Sequence, residues 1–292
     1  MKPRSGPVLA LLFGAAGWGL VWYPYRLLEA AGVSGVVASF ASYGLPLAVA
    51  LALVRSPWRE LRRGGWPVLV LSFAAAWTNI GYVLAVIGGE IMRVLLLFYL
   101  APLWTVLLSR TFLGERPGIP GALVIVLSLA GAIIMLKPPG AGLPLPANGA
   151  EWIALSSGFM FALSNVMSRF ATHVGTAAKS LSIWLGVSLI AAVWIMIDPG
   201  QLAFVARAAP VTWGLLAFVG CFIGIVTLSV QYGLSHVAAN RAIVLFMFEL
   251  VVAAVSAYVL VGETLSAREW LGGALIVAAT LFSSQLEKPH ED

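Results

Sequence analysis

The sequence predicts an all-α integral membrane protein of ten transmembrane helices, arranged as two five-helix repeats of inverted topology. Three observations carry that prediction. Apolar runs long enough to cross a bilayer, about 20 residues each, recur along all 292 residues. Hydrophobic residues make up 61% of the chain and charged ones 10%, against roughly 25% charged in soluble domains. One pattern is also written twice: residues 93–115 and 241–263 both begin with Arg, carry Leu-Phe four residues on, and close on Gly-Glu.

The elements follow in order. Lys2 and Arg4 precede an apolar run over 7–28, too long for the apolar region of a signal peptide and lacking a cleavage pattern, so it reads as the first span. Further spans fall at 35–54, 66–87, 91–111 and 118–136. The stretch KPPGAGLPLPANG, 137–149, holds four prolines and three glycines and cannot continue a helix. It divides an N-terminal repeat, 1–137, from a C-terminal one, 150–292, with 138–149 as linker. Spans at 151–171, 180–197, 210–233, 242–261 and 267–286 complete the ten. Little chain is left for a soluble domain or catalytic loops.

Charge tests this count. With the N-terminus cytoplasmic, twelve of the 17 Lys and Arg residues fall on the inner side and five (Arg26, Arg93, Lys137, Arg207, Arg268) on the outer. That is the asymmetry the positive-inside rule demands, and it places both termini in the cytoplasm. The basic residues lie between spans rather than in one patch, which argues against nucleic acid as a partner. A single cysteine, Cys221, excludes an intrachain disulfide and a cysteine metal cluster, and it reads as a small packed hydrophobe. His173, His236 and His290 show no metal spacing, and no phosphate loop or nucleophile elbow is present. No enzyme, metal or cofactor is expected.

Other segments repeat in the same order. Residues 18–26, WGLVWYPYR, parallel 161–169, FALSNVMSR, and GALVIV from Gly121 parallels GALIVA from Gly273. Five spans is an odd number, so the second copy must enter the bilayer from the opposite side. Inverted repeats of this kind build many secondary transporters, with the solute site at mid-depth where the halves meet.

Ten spans, the W-G…R of span 1, whose closing arginine recurs in span 6, and the paired LF…GE of spans 4 and 9 resemble the drug/metabolite transporter superfamily. The EamA-type branch fits best, and within it the chain is most similar to YddG-type amino-acid exporters. The resemblance covers essentially the whole chain. It implies a bacterial inner-membrane exporter of neutral or aromatic amino acids and related metabolites, working by alternating access, either uncoupled or with protons as coupling ion. Its partners are then a small-molecule substrate and the lipid bilayer. A multidrug or organic-cation exporter is the alternative, and a channel a third reading. In one respect the chain departs: the family often has Pro in both spans 4 and 9, whereas here Pro102 aligns with Leu250.

Polar groups inside a membrane are costly and face the bundle interior or a cavity. Span 3 carries Thr78, Asn79 and Tyr82 at helical spacings that share a face. In span 4, Tyr99 precedes Pro102, a candidate hinge whose ring removes the hydrogen bond to the Phe98 carbonyl; that freed carbonyl beside a tyrosine suits an ammonium group. Trp18 and Trp22 of span 1 are paralleled by Phe161 and Asn165 of span 6. Span 8 lines up Gly220, Gly224, Thr227, Gln231 and Ser235, the glycines reading as helix-packing positions. Glu249 stands mid-span 9, far from either interface, either as a protonation or ammonium site or as a structural hydrogen-bond partner. The candidate substrate-binding set is Trp18, Trp22, Thr78, Asn79, Tyr82, Tyr99, Phe161, Asn165, Gln231 and Glu249. Glu115 and Glu263 read as turn or capping residues, Glu90 as an ion-pair partner for Arg93, and Trp58, Trp66, Trp152 and Trp270 as interfacial.

Overall fold

The computed structural model describes residues 5–53, 56–89, 91–137, 145–262 and 264–285. Glu90 and Glu263 lie outside the described residues, as do Lys2, Arg4, Arg55 and Lys288. Within them the chain forms twelve α-helices and one 3-10 helix, and no strand. The helices are α1 (Ser5–Ala30), α2 (Gly35–Leu53), α3 (Ser56–Arg63), α4 (Gly65–Gly88), α5 (Ile91–Phe98), α6 (Ala101–Leu113), α7 (Ile119–Leu136), α8 (Gly149–Phe170), α9 (Thr176–Ile197), α10 (Pro210–His236), α11 (Ala239–Val261) and α12 (Ala267–Gln285).

Eight spans are long and apolar enough to cross a membrane: α1, α2, α4, α5 with α6, α7, α9, α10 and α11. The remaining two expected segments coincide with α8 and α12. The first carries Glu151, four serines, Asn165 and Arg169 along its length. Two elements were not expected: α3, whose Arg59, Arg62 and Arg63 give it no apolar signal, and the 3-10 helix Pro199–Ala206.

Local chemistry sets the helix ends. Pro102, Pro120 and Pro210 stand in the first turns of α6, α7 and α10, where a missing N–H costs nothing. Asn148 caps α8 by accepting from the Glu151 amide, and Ser266 and Glu269 cap α12 reciprocally, as a capping box does. The repeated Gly-Glu sign-offs have a shared cause. Gly114 and Gly262 end α6 and α11 with φ of 67° and 72°, a left-handed turn that favours glycine.

The two written-alike spans bend differently. Pro102 breaks the first into α5 and α6 around Tyr99 and Leu100, where Leu103 N bonds to Leu100 O at 3.0 Å in a tight turn. With Leu250 in the corresponding place, α11 runs unbroken.

Helix α1 packs on α10 and α11, and α8 packs on α4, α5 and α6. Helix α2 packs on α9 and α10, α4 on α9, and α7 on α12. Small residues allow the closest approaches. A side chain on Gly158 of α8 would lie 2.4 Å from the Phe98 carbonyl oxygen, and one on Gly19 of α1 would lie 2.7 Å from the Glu249 carbonyl oxygen. Gly131 and Gly272 each face the other's carbonyl at the α7–α12 crossing. Gly220 and Gly224 pack against Leu45 and Pro46 of α2, the packing role expected of them. Cys221, by contrast, is exposed on α10 rather than packed inside. Trp66, Trp152 and Trp270 are exposed at helix ends, as interfacial tryptophans are.

Candidate functional site

Aromatic rings run through the middle of the bundle. Tyr82 of α4 meets Phe98 of α5 edge-on at 5.2 Å, Phe98 lies 5.5 Å from Phe161 of α8, and Phe161 lies 5.5 Å from Phe246 of α11. These are favourable edge-to-face and tilted separations, and they link four helices. Phe98 and Phe246 are also the paired aromatic positions of the repeated segment, so the two copies meet on Phe161. Tyr99 stands beside Phe98 at 5.3 Å.

Glu249 joins this row. Tyr82 and Tyr99 both lie within electrostatic range of its carboxyl. Glu249 and Tyr82 are half-buried. A carboxylate flanked by tyrosines and aromatic faces can pair with an ammonium group and stack an apolar or aromatic solute beside it.

The structure therefore brings four sequence-predicted residues together: Tyr82, Tyr99, Phe161 and Glu249. The others sit elsewhere. Asn79 donates to the Tyr43 hydroxyl of α2 at 3.2 Å, and nearby Tyr25 meets Ser42 at 3.2 Å, which makes a separate hydroxyl cluster. Asn79 and Tyr82 share a face of α4, but one reaches toward α2 and the other toward α5. Thr78 turns its hydroxyl back to the Ala74 carbonyl at 2.7 Å. Trp18 packs where two core clusters adjoin. Trp22 donates through Nε1 to Ser256 Oγ of α11 at 2.9 Å. Gln231 accepts from Ser168 and so bridges α10 to α8. The Asn165 side chain is buried, and its Nδ2 has no partner among the described residues.

One expectation changes. The Phe98 carbonyl freed by Pro102 is packed against the backbone at Gly158, so it is closed to a solute. Arg93, whose expected partner Glu90 lies outside the described residues, grips Glu151 bidentately, Nε to Oε1 at 2.7 Å and Nη2 to Oε2 at 2.8 Å. Phe98, Phe246, Tyr25 and Tyr43 were not singled out from sequence. For the first two a signal is present in the repeated Leu-Phe, which marks correspondence between the two segments but not contact.

Residues 148–285 match the model of the EamA-like transporter family. An uncharacterized transporter of Archaeoglobus fulgidus is 26% identical over 236 residues, 80% of this chain and 82% of that protein. A riboflavin transporter of Rhizobium johnstonii is 28% identical, covering 82% of this chain and 75% of its own length. One from Brucella anthropi is 24% identical, covering 86% and 88%. A solved crystal structure shares the fold over 97% of this chain and 99% of its own, with a TM-score of 0.75 at 19% identity.

Proposed function

We propose that this EamA-like chain is a secondary transporter that carries a small, largely aromatic organic solute through one central site by alternating access. Its halves, 1–137 and 150–292, are then five-helix inverted repeats joined by 138–149, with α8 and α12 crossing the membrane as the sixth and tenth spans. The helix pairing supports this. Counting α5 with α6 as one span, exchange each span for the one five places on. The α1 contacts with α10 and α11 then become the α8 contacts with α4 and α5–α6, and α2–α10 becomes α9–α4. The pairs α2–α9 and α7–α12 map onto themselves. Two halves that pack on each other by one rule have two near-equivalent arrangements, which alternating access requires.

The observation that carries the solute reading is Glu249 with Tyr99 and Tyr82 beside the aromatic row. A neutral or aromatic amino acid suits it: the ammonium on Glu249, the side chain on Phe98, Phe161 or Phe246. The direction implied by the family resemblance is outward, with protons as a candidate coupling ion held on Glu249. The names of two relatives favour a second reading, riboflavin, whose planar rings would stack on the same row without needing the acid. Organic cations are a third class for a site with one acid among aromatics.

Liposomes containing the purified protein discriminate among these. Labelled phenylalanine, leucine, riboflavin and a quaternary ammonium dye are tested with and without a pH gradient. Saturable amino-acid flux with counter-transport supports the first reading, riboflavin flux alone the second, and dye flux alone the third. No saturable flux of any of them removes the solute assignment.

A further inference from the structure

At the end of the bundle where α8 finishes and α9 begins, two cations lie near each other and only one of them, Arg169, reaches a carboxylate. The side chain of Lys179 is 1% exposed, among the most fully enclosed long side chains of the molecule. Its Nζ donates to Ser235 Oγ at 2.9 Å, and that hydroxyl in turn donates to the Gln231 carbonyl at 2.8 Å. Among the described residues no carboxylate stands within ion-pair distance of Lys179. Arg169 lies close enough to act on it electrostatically. Arg169 donates to the Ser235 carbonyl at 3.1 Å and reaches Glu115 at only 3.5 Å. Glu115 spends its other oxygen on the Ala239 amide at the start of α11, 2.9 Å away.

An ammonium withdrawn from water without a counter-charge is strongly unfavourable, and one hydroxyl satisfies one of its three protons. The same chain builds a close bidentate pair elsewhere, between Arg93 and Glu151. Against that standard the Arg169–Glu115 contact is loose, and Lys179 has no acid beside it among the described residues. We propose that Lys179, Arg169 and Ser235 form a binding site for a small anion, a carboxylate or a phosphate group, in which Glu115 is a displaceable internal occupant. When Glu115 swings off Arg169, an external anion takes its place between the guanidinium and the ammonium. That this site is a waypoint for a carboxylate-bearing solute rests on the carrier reading; the anion site itself does not.

The test is binding, not transport, so its failure and that of the carrier reading are separable. The full-length protein in detergent is melted against increasing acetate and, separately, inorganic phosphate, with sodium chloride at equal ionic strength as reference. Saturable stabilisation by either anion is expected. Lys179→Gln weakens the apparent affinity about tenfold or more, as loss of a charged hydrogen bond implies. Lys179→Arg restores it, and Glu115→Gln strengthens it by removing the internal competitor. Nanodiscs of phosphatidylcholine with and without phosphatidylglycerol identify the source: stabilisation by the anionic lipid that acetate cannot augment assigns the site to a headgroup phosphate. No anion-specific stabilisation in any arm, or Glu115→Gln weakening binding as Lys179→Gln does, overturns the proposal.

Discussion

The proposed repeat would relate the seam between α8 and the broken pair α5–α6 to the seam between α1 and α11, but the two are fastened differently. The first is pinned at one end by Arg93 on Glu151 and carries the looser Arg169–Glu115 contact at the other, with Gly158 pressed on the Phe98 backbone between them. The second relies on Gly19 against the Glu249 carbonyl and on Trp22 bonded to Ser256. By repeat alignment Val8 stands where Glu151 stands, so α1 cannot make the carboxylate clamp that α8 makes. Apolar contacts in a bilayer slide more readily than paired charges separate, since lipid offers no better partner for the charges. Under the alternating-access proposal, α1–α11 is therefore the seam expected to move and α8–α5–α6 the one expected to travel as a block.

The largest expected effect comes from freezing each seam. In a Cys221→Ala background, Trp22→Cys with Ser256→Cys, joined by a short bis-maleimide, brings liposome flux down to that of protein-free vesicles. Arg93→Cys with Glu151→Cys, joined likewise, replaces a clamp with a covalent one and preserves flux; equal loss at both seams breaks the comparison. Next in size, Glu249→Gln lowers uptake of ammonium-bearing solutes about tenfold or more, the scale of a lost buried charge pair, and leaves riboflavin binding unchanged. Gly158→Ala then costs about 2–3 kcal/mol in thermal unfolding, as overpacking against backbone does, and Gly19→Ala costs less because its seam yields. Glu151→Gln costs about 1–2 kcal/mol, discounted for the partly exposed Arg93. Trp22→Phe, measured the same way, costs about 1 kcal/mol for one hydrogen bond.

Much of the frame was legible in the sequence because hydrocarbon admits few backbone solutions. Apolar runs, the Pro- and Gly-rich linker and the Gly-Glu helix ends each leave a local mark. Pro102 marked the break in one span, and Leu250 marked its absence in the other. Helix α3 left no such mark, since arginines at its exposed positions look like any loop. The site was legible by residue type and less so by partner. Helical spacing places Asn79 and Tyr82 on one face, but the neighbours that divide them, Tyr43 and Phe98, are set by how α2 and α5 approach α4. Glu151 meets Arg93 across 58 positions of sequence, a distance no local pattern spans. The buried amine of Lys179 was counted from sequence only as an orienting charge.

The turns at Gly114 and Gly262 have a consequence of their own. A methyl group added at either would touch nothing within 4 Å, so crowding is not what requires glycine there. Chirality is the obstacle: an L-residue resists this twist whatever its size, while its mirror image adopts it at ease. D-alanine introduced by chemical ligation should leave the melting temperature intact where L-alanine lowers it. A saturation scan would then flag two intolerant positions that have no neighbour to blame.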